Sequence, residues 1–161
     1  MFSWFKTKGR GLSDAEKAAI PEPIARGIDL DKIQIIPRKW TILTPKNITV
    51  TRGYKIFFPT DTGPSENVYH LAHIVHEVVH VWQYIHKKVG LYSLRWLNRQ
   101  YHYKLGPEDR FKKFGLEQQA ALFEDHFRQR NGLTARWAIN DPDLELLAHT
   151  VMNCDHNHEL A

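Results

Sequence analysis

A single cysteine, Cys154, stands in a chain of 161 residues. No internal disulfide can form, and such cysteine usage fits synthesis in a reducing compartment. No stretch approaches the roughly 20 consecutive apolar residues that a membrane-spanning helix requires. The opening segment, residues 1–8, is too short and too broken to be the apolar core of a secretory signal. The expectation is a chain cytoplasmic as synthesised, with export by a dedicated secretion system left open. Repeats and low-complexity runs are also absent. What is left is ordinary globular composition, 42% hydrophobic and 25% charged, enough for one core and too little for two. The expected organisation is a flexible basic N-terminus over 1–11, one domain over 12–153 and a C-terminal tail over 154–161.

Glycine and proline are missing from residues 68–85, which are apolar nearly all round, so the segment reads as a buried helix. Inside it, His76, Glu77 and His80 spell H-E-x-x-H. Positions i and i+4 lie one above the other on a helix, so His76 and His80 can close on one metal ion. Glu77 sits beside them, within reach of a water in an open coordination position. Two neutral imidazoles plus a carboxylate base are what zinc hydrolysis requires. Buried outside a metal site, two histidines and a glutamate would be costly.

A zinc site needs a third protein ligand. In the gluzincin group of zinc hydrolases it is a Glu on a later helix. The best candidate is Glu117, in a segment free of helix breakers after Gly115. Glu117, Ala120, Ala121, Glu124 and Arg128 share a face by spacing, and the two alanines permit close helix approach. Rivals are His102, His126, Glu124 and Asp125. The H-x-x-G-x-x-H continuation of the metzincins is missing, because position 83 is Gln and the nearest Gly is 90.

The string from His76 through Val81, Trp82 and Gln83, followed by Phe114, Gly115, Leu116, Glu117, Gln118, Gln119 and Ala120, resembles the Vgr-related zinc metallopeptidases. These are small bacterial gluzincin-like proteins, some linked to Vgr or type VI secretion loci. The resemblance extends over roughly residues 12–131 and includes the segments 12–17, 27–35 and 54–59. It implies a minimal zincin-like fold, one zinc ion per chain held by His76, His80 and Glu117, and Glu77 as general base. The resemblance implies no particular substrate; a peptide or protein is the expected one, with type VI secretion components as candidate partners, and the alternative is a non-catalytic zincin-fold module for binding or secretion. His73 departs from the apolar residue expected there; a satisfied core histidine is the preferred reading and a supporting contact at the metal site the alternative, while Glu124 is a candidate acceptor for the other N–H of a ligand histidine.

Short strand-like segments at 33–36, 40–43, 47–51 and 54–58 precede the helical ones, which argues α+β: a small, mostly antiparallel sheet on the H-E-x-x-H helix, then helices carrying the third ligand. Tyr54, Ile56 and Phe58 form the expected edge strand along which a substrate would add. Ser13 and Glu16 spell a capping box. Ser65 is expected to cap the metal helix, residues 91–103 to form a further helix, and Asp141 with Pro142 to open the last one. Candidate donors to a developing oxyanion are Tyr101, His102, Tyr103 and Arg128. Between His86 and Lys113 lie eight Lys or Arg against two acids, with aromatics interleaved. The pattern suits a polyanion, but a solubilising face with its aromatics turned into the core is the preferred reading, and nucleic acid is not the expected partner.

Overall fold

The computed structural model describes residues 8–86 and 99–154. It is α+β. Two short helices come first, α1 (Asp14–Ala19) and α2 (Glu22–Ala25). Three short strands follow, β1 (Gln34–Ile36), β2 (Val50–Arg52) and β3 (Lys55–Phe57). Then come the long helices α3 (Val68–Ile85) and α4 (Leu116–Arg130) and a final helix α5 (Leu144–Met152).

The sheet has the order β1-β3-β2 and is mixed: β1 runs parallel to β3, and β2 antiparallel to it. The segment containing Tyr54, Ile56 and Phe58 is therefore the central strand, not an edge. Both its sides are already hydrogen-bonded, so it cannot accept a substrate strand. A tight turn joins β2 to β3, and Gly53 takes the positive φ of 58° that this turn needs. The outer side of β1 is capped by Arg10, whose amide donates to Ile35 O at 2.9 Å and whose carbonyl accepts from Ile35 N at 2.8 Å. That leaves β2 as the open edge among the described residues.

Arg10 also does more than bridge. Its guanidinium grips the Glu16 carboxylate at 2.7 and 2.8 Å and the Asp61 carboxylate at 2.8 and 3.0 Å. His70 Nε2 reaches the same Glu16 at 2.7 Å. One buried ionic cluster thus ties the N-terminal segment, α1, the loop after β3 and the first turn of α3. The expected flexible stretch 1–11 does not extend to Arg10. At the other end Cys154 is 1% exposed and belongs to the core rather than to a tail.

The capping box on α1 is present as the sequence predicts. Other boundaries move by local chemistry. Asn67, not Ser65, caps α3 by accepting from the Tyr69 and His70 amides at 2.9 and 3.3 Å. Asp143, not Asp141, caps α5, and Asp141 sits at φ 45° in the preceding turn. The strand expected at 40–43 is a turn instead: Thr41 and Thr44 hydrogen-bond to each other through backbone and side chain, between Pro37 and Pro45. Of the helix expected at 91–103, residues 91–98 lie outside the described ones, and 99–103 are not helical. There Tyr103 pairs with the segment after α4, donating to Trp137 O at 3.3 Å and accepting from Ile139 N at 2.9 Å.

The core forms where α3 packs on the sheet, on α1 and on α4. Val75, Val78 and Val79 of α3 and Ala120 and Ala121 of α4 are all fully buried. Alanines at that contact let the two helix backbones come close. This proximity positions the polar groups described next.

Candidate metal centre

His76 and His80 project from one face of α3 and Glu117 from the first turn of α4. Each offers one atom, and the three atoms lie within 4.8 Å of one another. Glu117 Oε2 is 3.3 Å from His76 Nε2 and 3.0 Å from His80 Nε2. All three residues are buried.

The partners behind the histidines set which nitrogen faces inward. His80 Nδ1 donates to Gln83 Oε1 at 2.8 Å. The Gln83 amide is itself fixed, its nitrogen donating to Leu116 O at 3.0 Å and Gln119 Oε1 at 3.1 Å. The Nδ1 proton of His80 is thus committed, and the Nε2 lone pair meets a carboxylate oxygen. Two acceptors face to face repel until a cation or a proton lies between them. For His76, Glu124 Oε2 lies 3.0 Å from Nδ1, and Trp137 Nε1 holds that same oxygen at 2.7 Å. Burial opposes charging of His76, but the neighbouring Glu117 and Glu124 carboxylates outweigh it and raise its pKa to about 10. Burial likewise works against ionisation of Glu117 and Glu124, and the histidines pull both below the ordinary carboxylate range. A buried N, N, O donor set with carboxylate and amide partners behind the imidazoles fits a divalent metal of the zinc type. Gln83 had no assigned role in the sequence; its spacing of three residues after His80 on a buried face is the signal that could have found it.

Glu77 lies beside the cluster at 5% exposure. Thr51 Oγ1 in β2 donates to its Oε2 at 2.7 Å. His73 Nε2 is 3.9 Å from the other carboxylate oxygen and 2.9 Å from Thr49 Oγ1. His73 therefore stands behind the carboxylate of Glu77, not behind a ligand histidine, and burial lowers its pKa.

A cleft of about 360 Å³ opens over Glu77, His80 and Glu117, walled by the 40–45 turn, by β2 and by Arg99 and Tyr101. Of the four candidate donors, Tyr101 is the one that lines it among the described residues. Its ring centre is 5.8 Å from that of His76. Burial, followed by the nearby Glu117 carboxylate, raises its phenol to about 12. The other three are turned elsewhere. Tyr103 is buried with its hydroxyl on Asp125 at 2.8 Å. His102 packs edge-on against Trp137. Arg128 donates to Thr134 O at 2.9 Å and lies over Tyr69. The rival ligands are likewise engaged: Asp125 accepts from the 136–138 amides, and His126 lines a separate pocket with Ala18 and Arg130.

No family model matches the chain. It is 25% identical over 135 residues to the type VI secretion system spike protein VgrG2b of Pseudomonas aeruginosa, an alignment covering 76% of this chain. The chain spans only 13% of that protein's length. Its fold is similar to the solved effector domain of Pseudomonas aeruginosa VgrG2b, with a TM-score of 0.64, 24% identity and coverage of 76% of this chain and 75% of that one. The likeness is thus to the effector domain of a much longer type VI secretion system spike protein.

Proposed function

We propose that this chain is a type VI secretion-associated effector module whose site hydrolyses peptide bonds with a zinc ion. The chemical part rests on one observation: His76, His80 and Glu117 converge beneath a cleft that also presents Glu77. The secretion part rests on the likeness to VgrG2b.

A zinc ion bound at such a site would supply Lewis-acid chemistry, lowering the pKa of a bound water. His76, His80 and Glu117 would hold the ion, while Glu124 and Gln83 keep each imidazole turned the right way. Glu77, one oxygen fixed by Thr51, takes the proton from water and delivers it to the leaving amine. Tyr101, whose raised pKa keeps its phenol protonated, donates to the oxygen on which charge develops. The substrate backbone adds along β2, the open edge beside the cleft.

The test is Glu77→Gln. It should keep metal and fold while lowering hydrolysis by several orders of magnitude, on the scale of about 10²–10⁴ for a lost general base. An unchanged rate rules out the base role. A metal-loaded wild type that cleaves nothing across a broad peptide and cell-wall screen makes the chain a non-catalytic secretion module instead.

A further inference from the structure

Acidic residues are absent from two long stretches, 32–60 and 78–107. The first carries Lys32, Arg38, Lys39, Lys46, Arg52 and Lys55; the second carries Lys87, Lys88, Arg95, Arg99 and Lys104. Both stretches contribute to the wall of the cleft: the 40–45 turn and β2 come from the first, Arg99 and Tyr101 from the second. Among the described residues, the carboxylates lining the cleft are Glu77 and Glu117, the proposed base and the proposed ligand. The cations of that lining are Arg52 and Arg99, and a divalent cation held by the cluster would add to their charge.

Arg52 is the better fixed of the two cleft arginines. Its guanidinium lies 4.2 Å from the centre of the Trp40 ring and donates to the Tyr84 hydroxyl at 2.8 Å and to Thr51 O at 3.0 Å. It stands at the end of the open edge strand. Arg99 also lines the cleft and acts on Tyr101, where its charge partly offsets the rise of the phenol pKa. Main-chain pairing along β2 is indifferent to sequence, so side-chain preference falls to these walls. Planar guanidinium groups suit carboxylates.

Resting on the peptidase reading, we infer that the cleft selects peptides with an acidic side chain beside the scissile bond, received by Arg52 and Arg99. A peptide fits better than a nucleic acid, because the cleft is the size of a few side chains and offers a strand edge for a peptide backbone.

The experiment compares matched quenched-fluorescence peptides carrying Glu, Gln or Lys at the positions flanking the cleaved bond, using the zinc-loaded protein. The Glu peptide should show kcat/KM at least about tenfold above its Gln twin, the scale of one charge-assisted hydrogen bond. That ratio should fall toward one in Arg52→Gln and in Arg99→Gln, be partly kept in Arg52→Lys, and shrink as salt rises. If Arg52→Gln does not fold, Arg99→Gln, altered at an exposed position, carries the comparison. A second arm measures binding of the same peptides to zinc-loaded Glu77→Gln protein by calorimetry, with the same order of affinities expected. Gln or Lys peptides cleaved as fast as Glu peptides overturn the inference and leave the peptidase reading standing. No cleavage of any peptide overturns the peptidase reading, and the binding arm then decides the preference: equal affinities refute it. Duplex DNA displacing the Glu peptide at comparable concentration also refutes it, since the cleft would then be a general polyanion groove.

Discussion

Glu117 and Glu124 lie two turns apart on α4 and both touch His76, yet their positions differ in kind. Glu117 Oε2 faces the Nε2 atoms of both histidines, whereas Glu124 reaches only the Nδ1 atom of His76. Glu117→Ala removes one of three donors and should weaken zinc affinity more than Glu124→Ala, which should cost about 10–100-fold. Competitive titration against a chromophoric chelator ranks the two variants. Loss of zinc in Glu124→Ala alone would mean that the third ligand is misassigned. A separate residue-scale expectation concerns the Arg10 cluster. Burial alone would raise the Glu16 pKa, but hydrogen bonds from Arg10, His70 and the Ser13 amide bring it down to about 2 from 4.5. The folded value lies below the unfolded one, so the cluster stabilises fully above about pH 4.5 and loses this contribution as pH falls toward 2. Glu16→Gln should therefore cost about 3 kcal/mol near neutral pH, the scale of a broken buried pair. Urea denaturation should show the gap from wild type closing as pH falls below about 4.5; a gap independent of pH would contradict the ionic account.

At the scale of elements, the α3–α4 contact decides whether the ligands meet. Ala120 and Ala121 are fully buried there. Ala121→Leu should cost about 1–3 kcal/mol by overpacking and should also lower metal affinity, although no ligand is changed. Stability falling with metal affinity intact would show that the helix spacing does not set the site. This contact was legible in the sequence because helical periodicity is local: H-E-x-x-H on a run without glycine or proline, then a glutamate followed at three and four residues by alanines. The ionic cluster was half legible, since Ser13 and Glu16 spell a cap, but nothing local brings Arg10, Asp61 and His70 to the same carboxylate. Strand order was not legible either. Residues 54–58 read as a strand and are one, but whether a strand is central or an edge depends on pairings across the chain. The parallel partner β1 and the antiparallel partner β2 both chose β3. The 40–43 segment has strand-forming residues, but the Thr41–Thr44 hydrogen bonds between two prolines closed it into a turn, leaving Ile42 and Leu43 about nine-tenths exposed. Gln83 was half legible: its three-residue spacing from His80 is local, but the partners that fix its amide, Leu116 O and Gln119 Oε1, lie on α4.

Across the whole molecule, the proposed ligands come from two helices, with His80 and Glu117 37 positions apart in the chain. The site therefore exists only in the folded chain, and any metal it takes stabilises the fold through mass action, by about 4 kcal/mol when free metal is 1,000 times its Kd. None of the described helices is long and apolar enough to cross a membrane. The pairing of Arg52 and Arg99 at one cleft is also a whole-molecule feature, since the two come from acid-free stretches far apart in sequence. The proposed chemistry depends on the metal itself. The most direct measurement is elemental analysis of the purified protein beside His76→Ala and His80→Ala variants that remain folded by circular dichroism. The wild type should carry one zinc ion per chain and each variant essentially none. Full zinc occupancy in either variant would contradict the site.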